Sequence, residues 1–111
     1  MAREKRETTV RTISSQRYLD PTIVAAKRAD GDYVAQRVAI EVDGERLYVV
    51  VDGHHSIAAA RADGAEVEWE TNAATQAEAD YATREGIVSD WMAQRQLDAE
   101  WYDIATGRDA W

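Results

Sequence analysis

The run Leu47-Tyr48-Val49-Val50-Val51-Asp52 passes through Gly53 straight into His54-His55-Ser56-Ile57-Ala58-Ala59-Ala60. No other stretch constrains the fold as much. An apolar run of this length, rich in β-branched residues, reads as a buried, central strand. The alanine-rich segment after it reads as a short helix, predicted over 55–62. Only two or three residues join them, so the chain turns sharply at Gly53. Glycine suits a position where the backbone bends hard or approaches a ligand closely. Two imidazoles and a hydroxyl then stand at the helix N-terminus, where free N–H groups and the helix dipole favour an anion. The arrangement suits a phosphate.

The rest of the chain supplies an α+β frame. Asp20 before Pro21 marks a helix start, with Asp capping and Pro at the first helical position, and Gly31 ends that helix. Val38, Ile40 and Val42 alternate with polar neighbours as a half-buried strand does. Asp43-Gly44 is a hairpin signal that returns the chain into 47–52. Ala65, Val67 and Trp69 alternate with Glu66, Glu68 and Glu70, which predicts a third strand over 65–70. Thr75-Gln76-Ala77-Glu78 reads as a capping box opening a helix that ends near Gly86. A last helix is expected from Ser89 or Asp90, with Leu97, Trp101 and Ile104 at helical spacing and Gly107 as terminator. The reading is one small α+β domain over 18–111, a mixed sheet with a helical C-terminal cap over 70–111.

At 111 residues the chain has room for one core. It contains no cysteine, which excludes disulfides and thiolate chemistry. No apolar run approaches the ~20 residues that span a bilayer, and the N-terminus lacks a signal-peptide pattern, so a cytoplasmic location is expected. Residues 1–17 carry five basic and two acidic side chains, a balance of +3, whereas residues 18–111 carry 8 basic and 19 acidic, a balance of −11. The N-terminal stretch is therefore expected to be a flexible basic arm. The acidic body argues against DNA as the main ligand, because phosphate neutralisation supplies most nucleic-acid affinity.

Asp52-Gly53-His54-His55-Ser56 resembles the Gly-x-His-Arg box of the ParB/sulfiredoxin superfamily, written Asp-Gly-His-His-Arg in short ParB-like members. The Leu19-Asp20-Pro21 helix start and Gly64 before a third strand follow the same pattern, which covers residues 19–70. The resemblance implies a small ParB/sulfiredoxin-like domain that binds a nucleotide, ATP or CTP with Mg, through the box. The implied phosphate-binding residues are Asp52, Gly53, His54, His55, Ser56 and Gln36. A weak NTPase or phosphotransferase activity would follow. Departures are specific. Ser56 stands where the family places arginine, His54 stands where sulfiredoxins carry their catalytic cysteine, and Gln36-Arg37 replaces Gln-Pro. The Glu-Asn-x-x-Arg segment of ParB proteins has no counterpart beyond Glu70-Thr71-Asn72, and there is no room for a helix-turn-helix domain. These losses support an alternative, a non-enzymatic interaction or inhibitor protein of the kind plasmids and phages carry, with a degenerate nucleotide site. A small nuclease or DNA-binding accessory is the third and weakest reading.

The residues themselves narrow the chemistry further. Adjacent histidines at a helix start point about 100° apart, so one metal ion cannot readily take both, and no metal site is assigned. Asp52, His55 and Ser56 cannot form a nucleophilic triad, whose members must converge from separate segments. The two histidines stay open between a phosphate-facing role and a structural one, with one ring bonding the turn or core. Trp69 is expected in the core, Trp101 on the last helix, and Trp91 in either setting. Trp111 and the stripe Glu66, Glu68 and Glu70 are the candidate contacts for a protein partner.

Overall fold

The computed structural model describes residues 10–111. Its elements are β1 (Arg11–Ser14), α1 (Pro21–Asp30), β2 (Val34–Val42), β3 (Glu45–Asp52), α2 (His54–Asp63), β4 (Glu68–Thr71), α3 (Ala73–Glu85), α4 (Val88–Arg95) and β5 (Tyr102–Asp103). The strands form a mixed sheet in the order β4-β2-β3-β1-β5. The β2–β3 hairpin turns at Asp43 and Gly44, with φ of 51° and 84°. Two consecutive positive φ values are what a two-residue hairpin turn of matching twist requires. β3 is central, as its apolar run predicts, between antiparallel β2 and parallel β1.

The main departure lies at the N-terminus. Arg11–Ser14 is not part of an arm but an interior strand of the sheet, and Ile13 is fully buried. Its pairs on one side are Arg11–Leu47, Thr12–Tyr48 and Ile13–Val49. One strongly apolar residue among polar neighbours is too short a signal for a strand that draws its stability from flanking partners. Residues 1–9 of the expected arm lie outside the described residues.

A second departure is the C-terminal cap. The last helix stops at Arg95 instead of continuing through Ile104. Beyond it the main chain bonds to the segment following β1: Leu97 N–H to Ser15 Oγ and Ala99 N–H to Ser15 O, each at 2.9 Å. Tyr102 and Asp103 then pair antiparallel with Ser14 and Ile13. A strand edge offering free carbonyls outcompetes the helical spacing of Leu97, Trp101 and Ile104, and Leu97 is left largely exposed. The third strand also begins later than expected, at Glu68. Gly64 and Ala65 first close α2 by donating to the carbonyls of Arg61 and Ala60, a paired helix-end arrangement that uses glycine in the left-handed region. α3 opens two residues ahead of the expected capping box, because Asn72 caps it by accepting from Thr75 N–H at 3.0 Å.

Ile13, Val38, Ile40, Leu47 and Val49 form one face of the sheet and pack under Ala79 and Ala82 of α3 and Trp91 and Met92 of α4. Burying an aliphatic side chain of this size contributes roughly 1.5–3 kcal/mol. Tyr48, alternating with Leu47 and Val49, lies on the opposite face. There Arg37 stacks on Tyr48 at 3.8 Å and on Trp69 at 4.5 Å. Trp69, expected in the core, is only half-buried. α2 packs against β2, and α1 packs against α2. Among the described residues no helix is long and apolar enough to cross a membrane.

Candidate functional site

Gly53 occupies the N-cap of α2 with φ of 95°, and no side chain caps the helix. A Cβ there would lie 2.6 Å from Ala35 Cα and 2.9 Å from Val34 O. The close approach that demands glycine is therefore to strand β2 and not to a ligand. The first intrahelical bond runs from Ile57 N–H to Gly53 O at 2.9 Å. The amides of His54, His55 and Ser56 precede it, the donors that every helix start leaves over. Asp52 is exposed at the end of β3, and its Oδ1 accepts from Gly53 N–H at 2.8 Å.

The side chains of the box then diverge. The two imidazole centroids are 6.2 Å apart with planes at 69°. His55 Nε2 accepts from Asp20 N–H at 3.1 Å, tying the start of α2 to the cap of α1. Ser56 is buried and its hydroxyl donates to Asp32 Oδ1 at 3.4 Å. Asp32 is held below the usual carboxylate range by the Lys27 ammonium and by the Val34 N–H. The place near Ser56 that an anion would favour thus faces the protein's own carboxylate. Gln36 turns elsewhere, its Oε1 accepting from Asn72 Nδ2 at 3.1 Å. Of the six residues expected to bind phosphate, the structure keeps Asp52 and Gly53 at the turn, commits His55, Ser56 and Gln36 to intramolecular bonds, and sends His54 to a different place.

His54 lines a cavity of about 490 Å³ between α2 and the loop 104–107. It shares that wall with Ile57, Ala58 and Arg61, a spacing of three, four and seven residues that follows one helix face. Arg17 forms the opposite side. Its guanidinium stacks on Tyr102 at 3.8 Å and donates to Gly107 O at 2.8 Å. Arg61 donates to Ile104 O. Neither arginine forms an ion pair among the described residues, and no carboxylate lines the cavity. Each guanidinium has donors to spare beyond the carbonyl it holds.

His54 is the anomaly of this site. Both ring nitrogens are buried, and neither has a hydrogen-bond partner. Its ring faces the Arg17 main chain without reaching hydrogen-bond geometry. Burial, with the neighbouring His55 adding to it, holds its pKa below the ordinary 6.5, partly offset by the Arg17 main chain and by Asp98. Leaving a buried polar group unpaired costs about 1–3 kcal/mol. Arg61 was legible in the sequence as the residue two helical turns after His54. Arg17 and the 104–107 loop carried no such signal, because only the β1–β5 pairing brings them together.

The surfaces proposed for a protein partner are open. Glu66, Glu68 and Glu70 are exposed, the latter two on β4 at the edge of the sheet, and Trp111 is 66% exposed. Among the described residues no three of His, Asp and Glu gather as metal ligands. Comparison with family models, with curated proteins and with solved structures finds no match for this chain.

Proposed function

We propose that this chain is a phosphate- or nucleotide-binding domain of the ParB/sulfiredoxin type. Its anion site would be the cavity between α2, Arg17 and the 104–107 loop, not the open turn at 52–56. The observation that carries this reading is the gathering of Arg17, Arg61 and the unpartnered His54 around one cavity, in a chain of net charge −8. The family assignment is supported by the strand–turn–helix run through Gly53 and by the capped helix at Asp20-Pro21. ATP or CTP would bring its own Mg, since no lining side chain is a carboxylate. His54, whose neutral form is favoured by burial, would accept a proton here only once its ring turned its buried nitrogens towards the ligand, and that is the condition for the weak NTPase or phosphotransferase activity that the family implies.

Calorimetric titration of the protein with ATP and CTP, with and without Mg, combined with a phosphate-release assay, tests the reading. Arg61→Ala should weaken binding by about one to two decades, the roughly 1.5–3 kcal/mol of a charge-assisted hydrogen bond. Absence of binding to the native chain would remove the reading. A non-enzymatic interaction protein would then be the better account. One observation favours that second reading: Ser56, which replaces the family's arginine, is sealed against Asp32.

A further inference from the structure

β4 closes one side of the sheet, where it pairs in parallel with β2. The register fixes where its backbone groups point. Glu68 N–H donates to Tyr33 O at 2.9 Å, and Val34 and Gln36 stand opposite Glu68 and Glu70. In a parallel ladder the N–H and C=O of one residue face one side, and those of the next residue face the other. Glu68 and Glu70 therefore commit their backbone groups to β2, whereas Trp69 and Thr71 aim theirs outward. Among the described residues no turn or loop main chain bonds to either of them. The opposite edge of the sheet is different, because the turn after β5 folds back and bridges Asp109 to Tyr102.

The side chains of this open edge are patterned. Trp69 stacks with Arg37 on one face, so Glu68 and Glu70 project from the other, two residues apart. Both are exposed, and neither forms an ion pair among the described residues. Their charge decides which strand can add there. Antiparallel pairing with a second copy, Trp69 opposite Trp69 or Thr71, sets Glu68 against Glu70 or Glu70 against itself. Like charges placed directly opposite are destabilising, whereas opposite charges contribute favourably. The edge thus disfavours its own copy and suits a cationic strand.

We propose that the outer edge of β4 docks an extended segment of a partner protein, which adds a strand to the five-stranded sheet and carries Lys or Arg at alternate positions. Main-chain bonds to Trp69 and Thr71 hold the segment, and its alternate cations oppose Glu68 and Glu70. A β-branched residue between the cations lies on the Trp69 face, a favourable cross-strand neighbour for an indole. Spacing of the charges, and not their number alone, is what the edge reads. No β4 residue lines the arginine cavity, so the inference stands apart from the phosphate reading.

The test titrates two synthetic peptides of equal composition into the native protein, one alternating Lys and Thr, the other with its lysines in one block. A third peptide alternates Glu and Thr. The alternating Lys peptide should bind about tenfold more tightly than the block peptide and slow hydrogen exchange at the Trp69 and Thr71 amides. Thr71→Pro removes an outward N–H at an edge position that tolerates proline, and should abolish that preference. Glu68→Lys combined with Glu70→Lys, a change confined to exposed side chains, should transfer the preference to the Glu peptide. Equal binding of the two Lys peptides would overturn the proposal and leave only general attraction to an acidic body. Binding without protection of the two amides, a preference that survives Thr71→Pro, or no binding of any peptide would also overturn it. A native protein that dimerises with those amides protected would assign the edge to a second copy instead.

Discussion

His54 and His55 are neighbours in sequence with opposite environments, and their substitutions should separate accordingly. His55 accepts from the Asp20 main chain, so His55→Ala leaves that N–H without its partner and should cost about 1 kcal/mol of stability, read by urea denaturation. Phosphate or nucleotide affinity should not move. His54 should behave in the reverse sense. An anion beside the ring favours the imidazolium, so binding should tighten as pH falls from about 8 towards 6. His54→Gln should flatten that profile. A native profile already flat across the range would show that His54 does not touch the ligand. Gly53 is decisive for the fold. A methyl group there meets the backbone of Val34 and Ala35 at a φ of 95°, so Gly53→Ala should lose about 2–4 kcal/mol, from left-handed strain and overpacking together. Ser56→Arg would not restore a family-like clamp. Ser56 is 1% exposed, so a guanidinium placed there would have to displace the Asp32 contact before reaching solvent.

Among the elements, β1 is the one whose role is least visible locally and most consequential globally. Ile13 contacts the core from an interior strand, so Ile13→Ala should destabilise by about 2–5 kcal/mol, the range for truncating a buried aliphatic side chain. A loss under ~0.5 kcal/mol in chemical denaturation would mean that 11–14 is peripheral. β1 also organises the site: its continuation through Ser15 and Arg17 receives the chain after α4, and its pairing with β5 sets the loop that faces α2. The hairpin at Asp43-Gly44, the caps at Asp20 and the glycine stops at Gly31, Gly64 and Gly86 were all legible from composition and spacing. They depend on backbone conformations that few residue types adopt. β1, β5 and the true end of α4 were not legible, because they are fixed by hydrogen bonds between segments more than 80 residues apart.

For the molecule as a whole, pH should act on stability from both ends of the scale. His54 has a folded pKa below 6.5, so the unfolded chain takes up the proton first as pH falls. Stability is therefore complete above that value and declines as pH drops below it. Glu45, Asp32, Asp63 and Asp98 are held below the usual carboxylate values by their partners, and their contribution is lost at still lower pH, as each is protonated in the folded state. Tyr33, raised by its bond to Asp63, withdraws its contribution above pH 10. Melting temperatures should hence be level from about pH 7 to 9, fall gently below 6.5 and steeply below about 4.5. A melting temperature that rises on acidification from 7 to 5 would contradict the burial of a neutral His54. The sequence by itself determined the α+β class, the β2–β3 hairpin, the strand–turn–helix run through Gly53 and the acidic character of the body. These follow from apolar periodicity and from turn chemistry that acts over a few residues. Only the tertiary structure decided that Gly53 packs on Ala35, that Ser56 faces Asp32, and that Arg17 joins His54 and Arg61 across a cavity. Those positions depend on which strands pair, and a pairing between distant segments leaves no mark on the local pattern of either one.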